Sequence, residues 1–392
     1  MIAVQQVRQI AFPAAIAGFI ATLIGYASSA AIVYQAAAAA GASANEIGGW
    51  FTALGLAMGI SSLGLSLWYR QPILTAWSTP GAAMLATSLD GITLSQTIGI
   101  FVFTNLLIVL CALTGLFARL MKVIPQAVTA AMLAGILLRF GLQAFGALST
   151  DLLLCGTMCI SWLLARRLLP RYAIIITLLA GLLVTLTRGD LHLSQPLLTL
   201  SWPTFIIPAF SLSALLGVGL PFFLVTMASQ NAPGIATLQA HGFDAPASPL
   251  IGWSGLIALL LSPFGGFSVC LAAITAAICM GEEVHADRSK RWLAAACAGF
   301  FYLLAGLFGG AVGLLLTALP MVLIHTLAGL ALLTTLTNSI QRALHQEETR
   351  DAAMVTFLVT ASGITLAGIG APFWGLLTGM LVWLILSNNR LR

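Results

Sequence analysis

Three short polar clusters stand out against long apolar runs, and their residue types suit holding a ligand rather than breaking a bond. The first is Ser78-Thr79-Pro80-Gly81. The second is Ser268 with Val269 and Cys270. The third is Ser229-Gln230-Asn231, followed by Ala232-Pro233-Gly234. Hydroxyls, carboxamides and unpaired backbone N–H groups can together donate several hydrogen bonds to one small molecule. In an apolar setting they are costly unless satisfied. The Ser229–Asn231 triplet has a blander reading, a helix end bonding water at the membrane interface. Ser28 and Ser29 are either ligand contacts or the small polar residues common at membrane helix contacts. Trp77 and Phe267 adjoin the first two clusters, where two aromatic faces can sandwich a planar ligand or simply pack. Tyr26 and Tyr34 read as packing or interface residues.

The chemistry that is missing narrows the function. All 11 Asp+Glu residues fall at segment ends or in loops, so the carboxylate relay usual in proton-coupled membrane proteins is not visible. His325 is the one ionisable side chain well inside an apolar run, a candidate proton carrier or a packing histidine. No Walker loop, HExxH, GxSxG or dinucleotide fingerprint occurs, which argues against an enzyme and against a bound cofactor. The 6 cysteines include no CxxC pair. Cys155 and Cys159 lie one helical turn apart, but two thiols without further ligands make a poor metal site.

The elements that must position these residues are membrane helices. Of 392 residues, 60% are hydrophobic and 7% charged, where a soluble domain has about 25% charged. Fourteen apolar segments are expected at 10–34, 47–68, 76–89, 93–117, 124–146, 152–169, 172–187, 209–231, 248–262, 267–280, 291–314, 319–341, 352–370 and 372–388. With both termini cytoplasmic, all but Arg139 and Arg188 of the 16 Lys+Arg residues fall on the inside. The net charge of +5 is then a matter of topology, not of binding nucleic acid.

Two segments are too short to span. Residues 73–79 look extended, Thr79 reads as an N-cap with Pro80 as the first helical residue, and a helix follows to about Leu89. Its roughly 16 Å is about half of a bilayer core of about 30 Å. In the second, Ser262-Pro-Phe-Gly-Gly266 breaks the preceding helix, Phe267 is extended, and Ser268 reads as the N-cap of a half-helix ending near Met280-Gly281. The halves of the chain repeat: Leu178–Leu186 resembles Leu376–Leu384, and Trp77–Ala83 resembles Phe267–Ala273. Seven segments per repeat, 1–196 and 197–392, make the second enter the membrane from the opposite side. This inverted repeat points both half-helix N-termini at one midplane site, where an anion is the natural occupant. Pro233-Gly234 is expected to break segment eight.

The strings Gly25–Ile32, Thr75–Ala83, Ala134–Gly141, Thr226–Gly234 and Ala273–Cys279 resemble the benzoate/proton symporter (BenE) family over about residues 10–388, Ser229-Gln-Asn-Ala-Pro-Gly234 being the most specific. That family is distantly similar to uracil, nucleobase–ascorbate and sulfate-type transporters. The resemblance implies a core domain (1–122 with 205–315), a gate domain (123–196 with 316–392), a small aromatic carboxylate and a proton as ligands, a bacterial inner membrane location and a homodimer. The nucleobase members carry carboxylates in the segments equivalent to eight and ten. Ser229, Gln230 and Ser268 stand near those places here, which favours a ligand that brings its own negative charge.

Overall fold

The computed structural model describes residues 2–116, 125–191 and 202–388. In chain order come α1 (Ile2–Ala39), α2 (Ala44–Tyr69), β1 (Thr75–Trp77), α3 (Thr79–Ser88), α4 (Leu94–Leu113), α5 (Gln126–Gly146), α6 (Leu152–Leu168) and α7 (Ala173–Arg188). They are followed by α8 (Leu212–Ala240), α9 (Ala247–Leu261), β2 (Val269–Leu271), α10 (Ile274–Met280), α11 (Trp292–Leu307) and α12 (Gly309–Ala318). The chain ends with α13 (Met321–Leu344), α14 (Arg350–Ala361), β3 (Thr365–Leu366), β4 (Ile369–Gly370) and α15 (Ala371–Asn388).

Eight described helices are long and apolar enough to cross a membrane, or nine if Arg288–Leu307 and Gly309–Ala318, bent by 63°, form one span. The other expected segments coincide with the shorter helices α3, α6, α10, α14 and α15. In segment 352–370 only Arg350–Ala361 is helical, and Thr365–Gly370 turns back as a two-stranded hairpin. The expected boundaries at 122/123 and 196/197, together with Arg119, Lys122, Arg390 and Arg392, lie outside the described residues, as does the side chain of Arg8.

Local signals set the helix starts. Ser43 with Glu46, and Thr93 with Gln96, form capping boxes at α2 and α4, and Asp151 accepts from the Leu154 N–H to open α6. Helices α1 to α4 pack mainly on α8 to α12, while α5 to α7 pack mainly with α13 to α15. Small residues let the backbones approach, as membrane helices require. A Cβ on Gly55 of α2 would overlap the Gly306 backbone of α11, and one on Gly135 of α5 would stand 2.8 Å from Thr360 Cβ of α14.

The two broken segments meet in the middle of the first group. β1 and β2 pair antiparallel, with Thr75 opposite Leu271, Ala76 opposite Cys270 and Trp77 opposite Val269. Because the strands run in opposite directions, the half-helices that follow leave in opposite directions. Helix α2 anchors the ladder from one side. Thr75 Oγ1 lies 2.6 Å from Ser61 Oγ and 2.8 Å from Ser62 Oγ, and Ser66 donates to the Ile73 carbonyl at 2.8 Å. From the other side Asn231 Oδ1 accepts from the Leu271 N–H at 3.0 Å, and the Ala272 N–H donates to Leu74 O at 2.9 Å.

Three local expectations are corrected. The cap of α3 is Ser78, one residue before Thr79, its Oγ accepting from the Gly81 N–H at 3.1 Å. Ser268 caps nothing: it precedes β2, and α10 begins only at Ile274, with Ala273 at its N-cap position and no side-chain cap. The extended stretch after Gly266 runs further than expected because it must lie alongside β1 before it can turn. Pro233-Gly234 does not break α8, which continues to Ala240. A π-turn over Met227–Asn231 comes just before, bonding the Ala232 N–H to Met227 O five residues back. Pro233, which has no N–H to give, sits where the ladder has already been loosened.

Candidate functional site

A cavity of about 600 Å³ opens beside the β1–β2 ladder. Its deep wall holds the starts of both half-helices, Ala76, Trp77, Thr79 and Pro80 on one side and Ala272 to Thr275 on the other. Gly25, Ser28 and Ser29 of α1, Met58 of α2, Ser229, Gln230 and Pro233 of α8, and Tyr302 of α11 complete it. Toward its mouth stand Trp162, Arg166, Arg171, Asn338 and Arg342, all from the second helix group. No Asp or Glu is among its lining residues. A neighbouring cavity of about 700 Å³ shares Leu133, Ser229, Pro233, Ala273 and Arg342, but does not reach α3. The smaller cavity is the candidate site because both half-helices open onto it.

The deep wall is ordered from behind. Trp77 is buried, and its indole Nε1 donates to Ser29 Oγ at 2.7 Å. Ser29 in turn donates to Gly25 O at 2.7 Å, and Ser28 donates to the same carbonyl at 3.1 Å. The Trp77 backbone N–H donates to Met58 Sδ at 3.2 Å. Tyr26 and Phe51 meet the indole edge-on, at centroid distances of 4.7 Å and 6.0 Å. The indole is thus held in place where it lines the cavity. Ser229 bonds the Val225 carbonyl of its own helix.

Of the residues expected at the site, Ser28, Ser29, Trp77, Thr79, Ser229 and Gln230 line this cavity. Ser78 and Gly81 sit behind it. The Ser78 hydroxyl is taken up by the Gly81 N–H and by Thr226 Oγ1 at 3.2 Å, and Phe222 covers Gly81. Asn231 is also withdrawn, acting as the clamp on Leu271 and donating to Met227 Sδ at 3.3 Å. Val269 and Cys270 are committed to the strand ladder, and Cys270 Sγ donates to Ala76 O at 3.3 Å. Phe267 and Ser268 are wholly buried outside the cavity lining. Phe267 packs with Trp50, Phe101 and Phe222 at 6.4, 6.0 and 6.3 Å, so it does not face Trp77 across a ligand. Asn105 holds the Phe267 carbonyl at 3.0 Å and so fixes this side of the turn. His325 is half-buried on α13, outside the cavity lining. Among the described residues no three His, Cys, Asp or Glu side chains come together as a metal site would need.

Sequence reasoning missed Met58, Thr275, Tyr302, Asn338 and the arginine-rich mouth. Tyr302 carried a faint signal, a phenol in the middle of an otherwise apolar span whose hydroxyl needs a partner.

Such a site, apolar and aromatic on its walls, polar at the half-helix starts and basic at its mouth, suits a small anion with a flat apolar body. A family model described as "Benzoate membrane transport protein" matches residues 8–385. The chain belongs to the benzoate membrane transport family. It is 37% identical over 377 residues to the benzoate membrane transport protein of Acinetobacter baylyi (strain ATCC 33305 / BD413 / ADP1), covering 96% of each chain. It is also 58% identical over 375 residues to the inner membrane protein YdcO of Escherichia coli (strain K12), again covering 96% of each. The family is one of membrane transporters, not of enzymes. Among solved structures, SLC26A9 superposes on 97% of this chain with a TM-score of 0.66 at 14% identity. The chain spans 66% of that protein, and the likeness speaks for the fold alone. This chain therefore shares its helix arrangement with a protein that is very distant in sequence.

Proposed function

We propose that this chain imports benzoate or a related small aromatic carboxylate together with a proton. The observation that carries the reading is the carboxylate-free cavity at the paired half-helix starts, in a chain of the benzoate family. The aromatic ring rests on the Trp77 face. The carboxyl group lies toward the starts of α3 and α10, near Thr79 and Thr275, where unpaired N–H groups and the positive helix end favour negative charge. Gln230 and Ser229 border the same space. Arg166, Arg171 and Arg342 at the mouth gather anions before they enter. With no Asp or Glu lining the cavity, the proton travels together with the substrate rather than through a lining carboxylate relay.

Alternating access follows from the two helix groups. In this reading fourteen segments form an inverted repeat in a bacterial inner membrane, with both termini cytoplasmic. The core of α1–α4 and α8–α12 slides against the gate of α5–α7 and α13–α15, as an elevator does. The β1–β2 ladder ties both half-helices to the core, so the site travels as one piece. The arginine-lined mouth faces the cytoplasm, and two copies pair through their gates. Arg171, in the turn before α7, and Glu283, which follows α10, meet at 3.5 Å across the boundary between the two groups.

Uptake of labelled benzoate into proteoliposomes, with and without an inward proton gradient, tests the reading. Gradient-dependent uptake supports it. Binding without gradient dependence leaves a uniporter, and no binding or uptake of any aromatic carboxylate sinks it. Large unitary currents in electrical recordings would instead make it a passive anion channel.

A further inference from the structure

The cavity contains a feature that the half-helix reading does not use. Tyr302 of α11 is 1% exposed and lines the cavity, and its hydroxyl has no hydrogen-bond partner. The Tyr26 hydroxyl of α1 is likewise buried and unpartnered. The two rings lie 6.1 Å apart between centroids, and Tyr26 also packs edge-on against Trp77 at 4.7 Å. Trp77, Tyr26 and Tyr302 therefore form one aromatic cluster, in which Trp77 and Tyr302 line the cavity and Tyr26 packs against both.

Neighbouring groups do not satisfy them. The Gly25 carbonyl already accepts from Ser28 and Ser29. Tyr302 Oη comes so close to α1 that a Cβ on Gly25 would stand only 3.1 Å away. The Thr275 hydroxyl of the second half-helix approaches Tyr302 without reaching hydrogen-bonding geometry. A buried hydroxyl left without a partner is unfavourable by about 1–3 kcal/mol, so that of Tyr302, on a lining residue, is poised to meet something that enters. A phenol is a better donor than acceptor toward an anion, and its hydrogen bond to a carboxylate is charge-assisted. Tyr302 lines the same cavity as Trp77 and the start of α10.

We infer that Tyr302 is a specificity-determining residue of the substrate site, donating its hydroxyl to the substrate's carboxylate, with Tyr26 as the positioning residue behind it. The assignment rests on reading this cavity as a benzoate site. It adds a donor from α11 to those of the half-helices. It also explains discrimination: an uncharged aromatic amide fills the same space but accepts a weaker hydrogen bond from the phenol. Tyr26 packs against both Tyr302 and Trp77 and so fixes the Tyr302 ring relative to the indole.

The test measures benzoate and benzamide binding to the purified full chain and to Tyr302→Phe, Tyr26→Phe and the double variant, with the ligand-free unfolding temperature of each. The native protein should prefer benzoate. Tyr302→Phe should lose about tenfold in benzoate affinity and little in benzamide affinity, as expected for one charge-assisted bond. Tyr26→Phe should lose less. The ligand-free unfolding temperature should stay the same or rise, because the hydroxyls removed had no partner. A double variant that keeps the native benzoate-to-benzamide ratio overturns this inference while leaving benzoate transport standing. A fall in ligand-free stability also overturns it, because the hydroxyls would then be structural. Failure of the native protein to bind benzoate at all overturns both readings.

Discussion

Replacing Ser29 by alanine isolates the contact that fixes the cavity's aromatic wall. The Ser29 hydroxyl accepts the Trp77 indole N–H at 2.7 Å, and Trp77 is 3% exposed, so water does not replace it. A buried donor left bare costs about 1–3 kcal/mol. The hydroxyl's other bond, to Gly25 O, matters less because Ser28 still donates to that carbonyl. Most of the cost should therefore depend on the indole being present. In the Trp77→Phe background the N–H is gone and Ser29→Ala should cost little, giving a coupling energy of at least about 1 kcal/mol in a double-mutant cycle. Equilibrium unfolding in mixed micelles measures all four corners. Benzoate affinity should fall by about fivefold in Ser29→Ala as the ring loses its anchor, on the scale where about 1.4 kcal/mol is tenfold. Equal costs of Ser29→Ala with and without the indole would refute the reasoning.

Further outcomes follow from single observations. Ser268→Ala should leave ligand-free stability unchanged or slightly raised, since that buried hydroxyl has no partner, whereas Ser268→Asp should be destabilised by several kcal/mol through a carboxylate buried beside an aromatic cluster; thermal unfolding without ligand separates this from a cap, whose loss would itself cost about 1 kcal/mol. Gly55→Val should sharply reduce folded yield, because its Cβ meets the Gly306 backbone, while Gly64→Ala, with open space around it, should express normally on size-exclusion chromatography. The Arg188 guanidinium at 2.6 Å, helped by the Leu154 N–H, holds the Asp151 carboxyl below the usual carboxylate range. Its contribution is present above the unfolded value of about 3.9 and is lost as pH falls through the lower folded value. Asp151→Asn should therefore flatten the acid limb of the stability profile below about pH 4.

What could be read from the residues, and what could not, divides along range of interaction. The strand and half-helix at 75–88 were legible because proline, glycine and small polar residues act within one turn. The second broken segment was legible as a break, through Pro263 and Gly265-Gly266, but not in its register. Nothing local marks where a chain stops being strand when its partner lies almost two hundred residues away, so Ser268 looked like a cap. Asn231 shows the same limit: its side chain belongs to Leu271, and only the fold brings them together. Pro233-Gly234 looked like a breaker because a π-turn that accommodates a proline leaves no plain mark. Tyr26 and Tyr302 are ordinary aromatic residues on their own helices, and their importance lies in hydroxyls that nothing meets.

The three-residue ladder between β1 and β2 also constrains how such a chain can vary. Side chains alternate along a strand, so a one-residue slip turns every one of them to the opposite face. A single insertion between Gln71 and Thr75 would swing Trp77 away from Ser29 and the cavity, and one between Gly266 and Val269 would turn Val269–Leu271 over and break the pairing that places the start of α10, each while keeping every residue that lines the cavity. Chain length in these two connections is thus as much a part of the cavity's shape as side-chain identity. Cavity residues can be exchanged without moving the ladder, whereas a change of spacing on either side of it moves the wall itself.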